Sequence, residues 1–334
     1  MKKIVLSFSI LSAVALFGFG CKKEKNVAPE PDLELQSSID VSYAMQVISD
    51  IDMICSFMAE NKPPVFYNPS LGDLVPNLDT TNKIVKLAFA NTTCLDGRVR
   101  DGSFFLNYEQ VGVRNTSYFR DFGYKSKLSL IDYKVDGWKI KTTGVSQITF
   151  ANLVAPVNYD PKTTNLSWSF AGDITLEHPS DTTKNMYVNF NLVKTLLNTS
   201  TATVFPTSKQ QPINWPLANI DYKGVLFGTT SRNVPFKYEI NSAEPIARIF
   251  TCTPNKVYGV GVAAAPPFSV TPRFSEYHPF INGTAALTTS TLYPRVVHYG
   301  PEVRVENAAA TCDNSGAVTI KGISYPIDFK TEYK

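Results

Sequence analysis

The chain has 334 residues, with 32 Lys and Arg against 29 Asp and Glu, a near-neutral balance that excludes the basic footprint of a nucleic-acid binder. Its length suffices for one large domain or two ordinary ones with real cores, so folding needs neither a metal nor a partner. Only 18% of residues are charged, while 43% are hydrophobic and 12% aromatic; with abundant Thr, Asn and Ser, this suits half-buried strands joined by polar turns.

In chain order the first element is a segment to be removed. Lys2 and Lys3 precede an apolar run from Ile4 to Phe19, then Gly20 and Cys21. A basic start, an apolar middle and a small residue before the cut make a secretory signal. The run, about 16 residues, is shorter than the roughly 20 that a membrane-spanning helix needs. Cys21 directly after the small residue resembles the lipobox of bacterial lipoproteins. That resemblance implies cleavage after residue 20, acylation of the Cys21 thiol by palmitate or a similar chain, and an outer-membrane address on the periplasmic or cell-surface face. The membrane is then a partner through the N-terminal lipid.

Residues 21–38, with Lys22, Lys23, Glu24, Lys25, Pro29 and Pro31, can bury almost nothing and read as a flexible tether. Lys23-Glu24 loosely resembles the charged signal that routes lipoproteins of the Bacteroidota to the cell surface. Beyond Cys21 lie four further cysteines, Cys55, Cys94, Cys252 and Cys312. An even number in an exported chain points to two disulfides, and the shortest closed loops give Cys55–Cys94 with Cys252–Cys312. A reduced core role for Cys55 is the alternative. Neither CxxC nor Cys/His zinc spacing occurs, so no metal site is assigned.

A helix is expected over residues 39–59. Ala44, Val47, Ile48, Ile51, Ile54, Cys55 and Met58 recur at three- and four-residue spacing, with Ser49, Asp50, Asp52 and Ser56 between them. Ser38 or Asp40 is placed to cap its start, and Pro63-Pro64 follows its end. One apolar stripe implies a lid laid over one end or face of the sheet that follows. From Ile84 onward the pattern is strand, turn, strand, with expected strands at residues 83–90, 103–108, 146–151, 172–177, 220–226, 236–240, 247–252, 303–305, 317–321 and 323–329. Further strands flank Asp136-Gly137, a hairpin dipeptide, and run through Trp168 and Phe190. The expected fold is therefore mainly β, with antiparallel, sandwich-like sheets, one large or two in tandem, and one N-terminal amphipathic helix. The Pro-rich stretch 203–216 suggests a boundary between a first region, 39–205, and a second, 206–334, unless 39–334 is one continuous domain.

Three blocks share a layout in which a strand ends in Cys and a polar turn follows, at Cys94, Cys252 and Cys312. The run Cys94, Asp96, Gly97, Arg98, Arg100 and Gly102, with Cys312-Asp313-Asn314 near the end, resembles a family of uncharacterised Bacteroidota lipoproteins with a Cys-x-Asp-Gly-Arg-x-Arg-x-Gly element. The resemblance carries no activity with it. Asp96 and Asp101 have the chemistry to hold an ion, although the spacing fits no complete calcium loop. Arg98 and Arg100, two apart on a strand, share a face and suit an anionic ligand or an ion pair with an acidic neighbour.

Catalytic signatures are missing. Gly-x-Ser-x-Gly, His-Glu-x-x-His and a Gly-rich phosphate loop are all absent, and His178, His278 and His298 have no paired spacing. No catalytic residue and no cofactor is assigned. Trp138 and Trp168 alternate with polar neighbours and read as core, whereas Trp215, between Asn214 and Pro216, is the better candidate for stacking on a sugar. Asp79-Thr80-Thr81 and Asp181-Thr182-Thr183 match the O-glycosylation signal of the Bacteroidota, which marks Thr80 and Thr182. The expected function is that of a lipid-anchored cell-envelope β protein with a non-enzymatic role in binding, adhesion or structure, and a glycan or an envelope protein as partner. An anchored glycan-active enzyme, with two carboxylates in a cleft, and a carrier of an apolar ligand, with an open cavity, are the alternatives.

Overall fold

A computed structural model describes residues 34–59, 77–93, 98–108, 119, 123–143, 147–153, 165–197, 219–249, 280–300 and 315–329. The fold is mainly β: among the described residues there is one antiparallel sheet and one α-helix, α1 (Gln36–Ala59). In chain order the strands are β1 (Asn77–Asp79), β2 (Ile84–Thr93), β3 (Val99–Tyr108), β4 (Lys125–Val135), β5 (Trp138–Thr142), β6 (Ile148–Asn152), β7 (Leu166–Glu177) and β8 (Met186–Leu196). They continue as β9 (Asn219–Thr229), β10 (Pro235–Ile240), β11 (Ile246–Ile249), β12 (Phe280–Asn282), β13 (Thr284–Thr289), β14 (Arg295–Tyr299), β15 (Ser315–Ile320) and β16 (Ile323–Asp328).

Neighbours in sequence are mostly neighbours in space. The hydrogen-bonded path runs β1-β2-β3-β4-β5-β7-β8-β9-β10-β13-β14-β15-β16; β6 bridges β4 and β7, and β11 joins β9 to β12. The two longest pairings lie along β8, with β7 from Met186 to Leu196 and with β9 from Tyr187 to Leu196. β8 and β9, which lie on either side of the Pro-rich stretch, pair with each other in this sheet. Asp136 and Gly137 close the β4–β5 hairpin with φ of 51° and 85°, the pair of positive values a type I′ turn requires.

Each strand alternates as a half-buried strand should. On β8, Met186, Val188, Phe190, Leu192, Lys194 and Leu196 face inward, and Tyr187, Asn189, Asn191, Val193 and Thr195 face outward. The inward rows meet α1, which is buried along nearly its whole length and on every side. Its side chains bond to residues of β3, β4, β8, β9, β11 and β14. The sheet therefore curls around the helix and uses it as the centre of the core. This corrects the expected lid: the face carrying Ser49, Asp50, Asp52 and Ser56 is as buried as the apolar stripe. The helix also begins earlier than expected, and neither Ser38 nor Asp40 caps it. Glu34 does so, its carboxylate accepting from Ser37 N at 3.0 Å.

Two register shifts set the inward faces near β3. Between Phe89 and Thr92 β2 carries one extra residue against β3, and between Ile131 and Lys134 β4 carries another. A one-residue slip reverses which face a side chain occupies, so beyond its bulge β4 turns Tyr133 and Val135 inward. Gly102 sits opposite both bulges with φ +89°, and a Cβ there would lie 2.4 Å from the Asp132 carbonyl oxygen. Only glycine fits that approach.

Candidate functional site

Among the described residues, the buried titratable groups converge around α1. Residues two apart on a helix point to nearly opposite sides, so Asp50 and Asp52 reach different strands. Asp50 faces Arg100 of β3, whose Nη2 donates to Oδ1 at 2.7 Å and whose Nε donates to Oδ2 at 3.4 Å, while Tyr133 of β4 donates to Oδ2 at 3.3 Å. Asp52 faces Lys194 of β8, with Nζ 2.9 Å from Oδ1, and Tyr222 of β9, whose hydroxyl donates to Oδ2 at 2.7 Å. Lys194 also donates to Ser56 Oγ at 2.5 Å. Between the two acids, Ser49 accepts from Arg248 of β11 at its hydroxyl, 2.6 Å, and at its carbonyl, 3.0 Å.

The first turns of the helix are held in the same way. Asp40 accepts from the backbone and hydroxyl of Ser231 in the β9–β10 turn at 2.9 and 2.7 Å. Ser42 accepts from Tyr299 of β14, which is 2.7 Å from the hydroxyl of Tyr238 on β10. Arg295 of β14 donates to the carbonyl of Glu34 and pairs with its carboxylate. The result is a belt of polar contacts that fixes the helix in rotation and in depth.

Burial sets the electrostatics. Desolvation opposes the Asp50 carboxylate, but the Arg100 and Arg98 guanidiniums outweigh it and hold its pKa below the ordinary value. For Lys194, desolvation prevails over the attraction of Asp52 and lowers the pKa of the ammonium. Burial first, and Asp52 second, push the Cys55 thiol well up. Burial likewise raises Tyr133 and Tyr222, with Asp50 and Asp52 adding to it, and it lifts Tyr299 to about 12. These groups are closed off from solvent: the side chains of Lys194 and Asp52 are both 0% exposed.

The residues singled out in the sequence are only partly brought together. Arg100 enters the belt as an ion pair with the helix rather than across strands. Arg98 lies 3.8 Å from Asp136 at the hairpin. Asp101 accepts from the backbone of Asn91 at 3.2 Å and pairs with Lys134, away from the belt. Cys55 is a free thiol inside the core, so the expected Cys55–Cys94 bridge is not formed; the helix that carries Cys55 lies within the sheet. Cys21, Cys94, Cys252, Cys312, Asp96 and Trp215 lie outside the described residues. Among the described residues, no three His, Cys, Asp or Glu side chains converge to hold a metal ion. None of their helices is long and apolar enough to cross a membrane.

Lys194, Arg248, Tyr133 and Tyr222 were missed in the sequence. Their signal is phase: Lys194 falls in the inward row of β8, and Arg100 and Arg248 share the apolar phase of Phe104 and Ile246. A cation in that phase needs a buried acid, and the acids are the helix residues that pattern alone puts in solvent.

On the outer face the registers set Asp173, Asn189, Phe227 and Lys237 side by side across β7 to β10. Tyr187 and Phe227 are 37% and 44% exposed. The Tyr187 hydroxyl donates to Asp173 Oδ1 at 2.8 Å, and Asn189 Nδ2 donates to the same oxygen at 2.5 Å. Two exposed rings beside an amide and a carboxylate combine stacking area with hydrogen-bonding groups. No family model, curated protein or solved structure matches the chain.

Proposed function

We propose that this is a lipid-anchored cell-envelope protein that binds rather than catalyses, with a glycan as its ligand on the outer face of β7–β10. The observation that carries the reading is the division of its polar groups. The acids and bases that converge, Asp50, Asp52, Arg100, Lys194 and Arg248, are sealed inside and spent on holding α1. The exposed face instead presents Tyr187, Phe227, Asn189 and Asp173. A general acid or base needs reach to a substrate, and a sugar face needs flat rings with hydrogen-bonding neighbours. Helix α1 also fills the concave side of the sheet, where an apolar cargo would sit.

Anchoring rests on Lys2, Lys3, the apolar run and Cys21, and Cys21→Ser releases the protein from membranes if the thiol carries the lipid. Thr80 and Thr182 are the proposed O-glycosylation sites. Both are exposed, and in both the preceding Asp accepts from the backbone two residues on, Asp79 from Thr81 and Asp181 from Thr183, each at 3.0 Å. The deciding experiment is a glycan array probed with wild type, Tyr187→Ala and Phe227→Ala proteins. Retention of glycans by wild type and their loss in both variants supports the reading; equal binding by all three removes this face from it.

A further inference from the structure

Among the buried acid–base pairs, Lys194 with Asp52 differs in kind. An Arg guanidinium is not deprotonated in proteins and is no nucleophile, so Arg100 and Asp50 remain an ion pair. Lys139 with Asp132, and Lys141 with Glu177, lie on the outer face open to water, with side chains 30% to 73% exposed, where ion pairs are screened. Lys194 and Asp52 are fully enclosed, 2.9 Å apart, and the amine lies 5.3 Å from the ring centroids of both Phe119 and Trp168. These rings stack on each other at 4.6 Å, and Trp168 Nε1 donates to the Phe119 carbonyl at 2.8 Å, which holds that wall in place.

We infer that Lys194 and Asp52 condense into an amide, an intramolecular isopeptide bond that ties α1 to β8. The groups needed for the step are in contact. An ion pair in so dry a site bears a large desolvation cost, and passing one proton from the ammonium to the carboxylate gives a neutral amine beside a carboxylic acid. Burial already lowers the pKa of the Lys194 ammonium, which favours that transfer. The Nζ lone pair then attacks Asp52 Cγ. The Tyr222 hydroxyl, donating to Oδ2, stabilises charge developing on the oxygen that is retained. Ser56 Oγ accepts an N–H bond and orients the amine. The Nζ–Cγ bond forms, the Cγ–Oδ1 bond breaks, and Oδ1 leaves as water carrying the acid proton and one amine hydrogen. No oxidant or cofactor enters. Fixed contact supplies the driving geometry, since effective molarities of well-oriented intramolecular reactions reach roughly 10⁵–10⁸ M.

Tryptic mapping of the folded full-length protein tests this without relying on any variant. The expected product is a branched peptide joining the segments that carry Asp52 and Lys194, lighter than their sum by one water, with cleavage after Lys194 abolished. Asp52→Asn, whose amide nitrogen leaves as ammonia, yields a branched peptide of identical mass, and Lys194→Arg yields none. Recovery of the two segments as separate linear peptides of unaltered mass from folded wild-type protein overturns the inference and leaves Lys194 and Asp52 as a buried ion pair.

Discussion

Removing one partner of the Asp50–Arg100 pair tests the belt most directly. In Asp50→Ala the Arg100 guanidinium keeps its place on β3 with a side chain 0% exposed, and it loses a bidentate carboxylate. Breaking a buried pair from one side costs about 3–5 kcal/mol, because a charge is left uncompensated. Against a total stability of roughly 5–15 kcal/mol, that is about a fifth or more of what holds the fold. At about 2 °C per kcal/mol for a domain of this size, the melting temperature falls by roughly 6–10 °C. The double variant Asp50→Leu with Arg100→Met removes both charges and recovers most of the loss, since apolar replacement of a whole buried pair is often neutral. Urea and thermal unfolding of wild type, Asp50→Leu, Arg100→Met and the double variant complete the cycle, with Asp50→Ala measured beside them. A single-variant loss below about 1 kcal/mol, the range of exposed pairs, or a double variant worse than either single one, refutes the account of the helix as a member held by buried charge.

Three other outcomes follow from the same geometry. The folded pKa of Asp50 lies below its unfolded value of 3.8, so its stabilisation is fully present above that value and is lost as pH falls through the folded pKa. In urea titrations below pH 4, Asp50→Asn accordingly shows a shallower loss of midpoint with acid than wild type, and parallel curves contradict this. Gly102→Ala puts a Cβ against the Asp132 carbonyl in a left-handed conformation and destabilises by about 1–3 kcal/mol or more, which a shift in urea midpoint measures; an unchanged midpoint argues against the bulge. The peptide carrying Cys55 takes up iodoacetamide only after denaturation, since the thiolate is both buried and disfavoured; labelling in the native state contradicts its place in the core.

Local pattern made much of the fold legible, because strands of period two and one helix of period 3.6 advertise themselves within a few residues. The Asp136-Gly137 hairpin and the inward rows of β7 and β8 could be read this way, as could the burial of Trp138 and Trp168. The strands between residues 280 and 299 were not expected: Thr284-Ala285-Ala286 is too small to give a strong alternation, and the partners that pair it, β10 and β14, are supplied by the sheet. The polar face of α1 failed for a different reason. Asp50 and Asp52 look solvated when only their neighbours are counted, and what makes them buried is a cation on a strand far along the chain. Gly102 stands in the sequence as the last residue of the Cys-x-Asp-Gly-Arg-x-Arg-x-Gly element, but its role depends on bulges in two neighbouring strands, which leave no mark of their own in sequence.

The order in which α1 finds its partners bears on how the chain reaches its final state. Asp50 waits for a residue 50 positions later, Asp52 for one 142 later, Ser49 for one 199 later and Ser42 for one 257 later. A segment threaded first is therefore satisfied in instalments as successive strands arrive. Until the last of them docks, some of its carboxylates and hydroxyls have no partner from the sheet and are left to water. Contacts of such long range make assembly slow. A chain shortened from its C-terminus keeps the Asp50 contact longest and gives up Ser42 first.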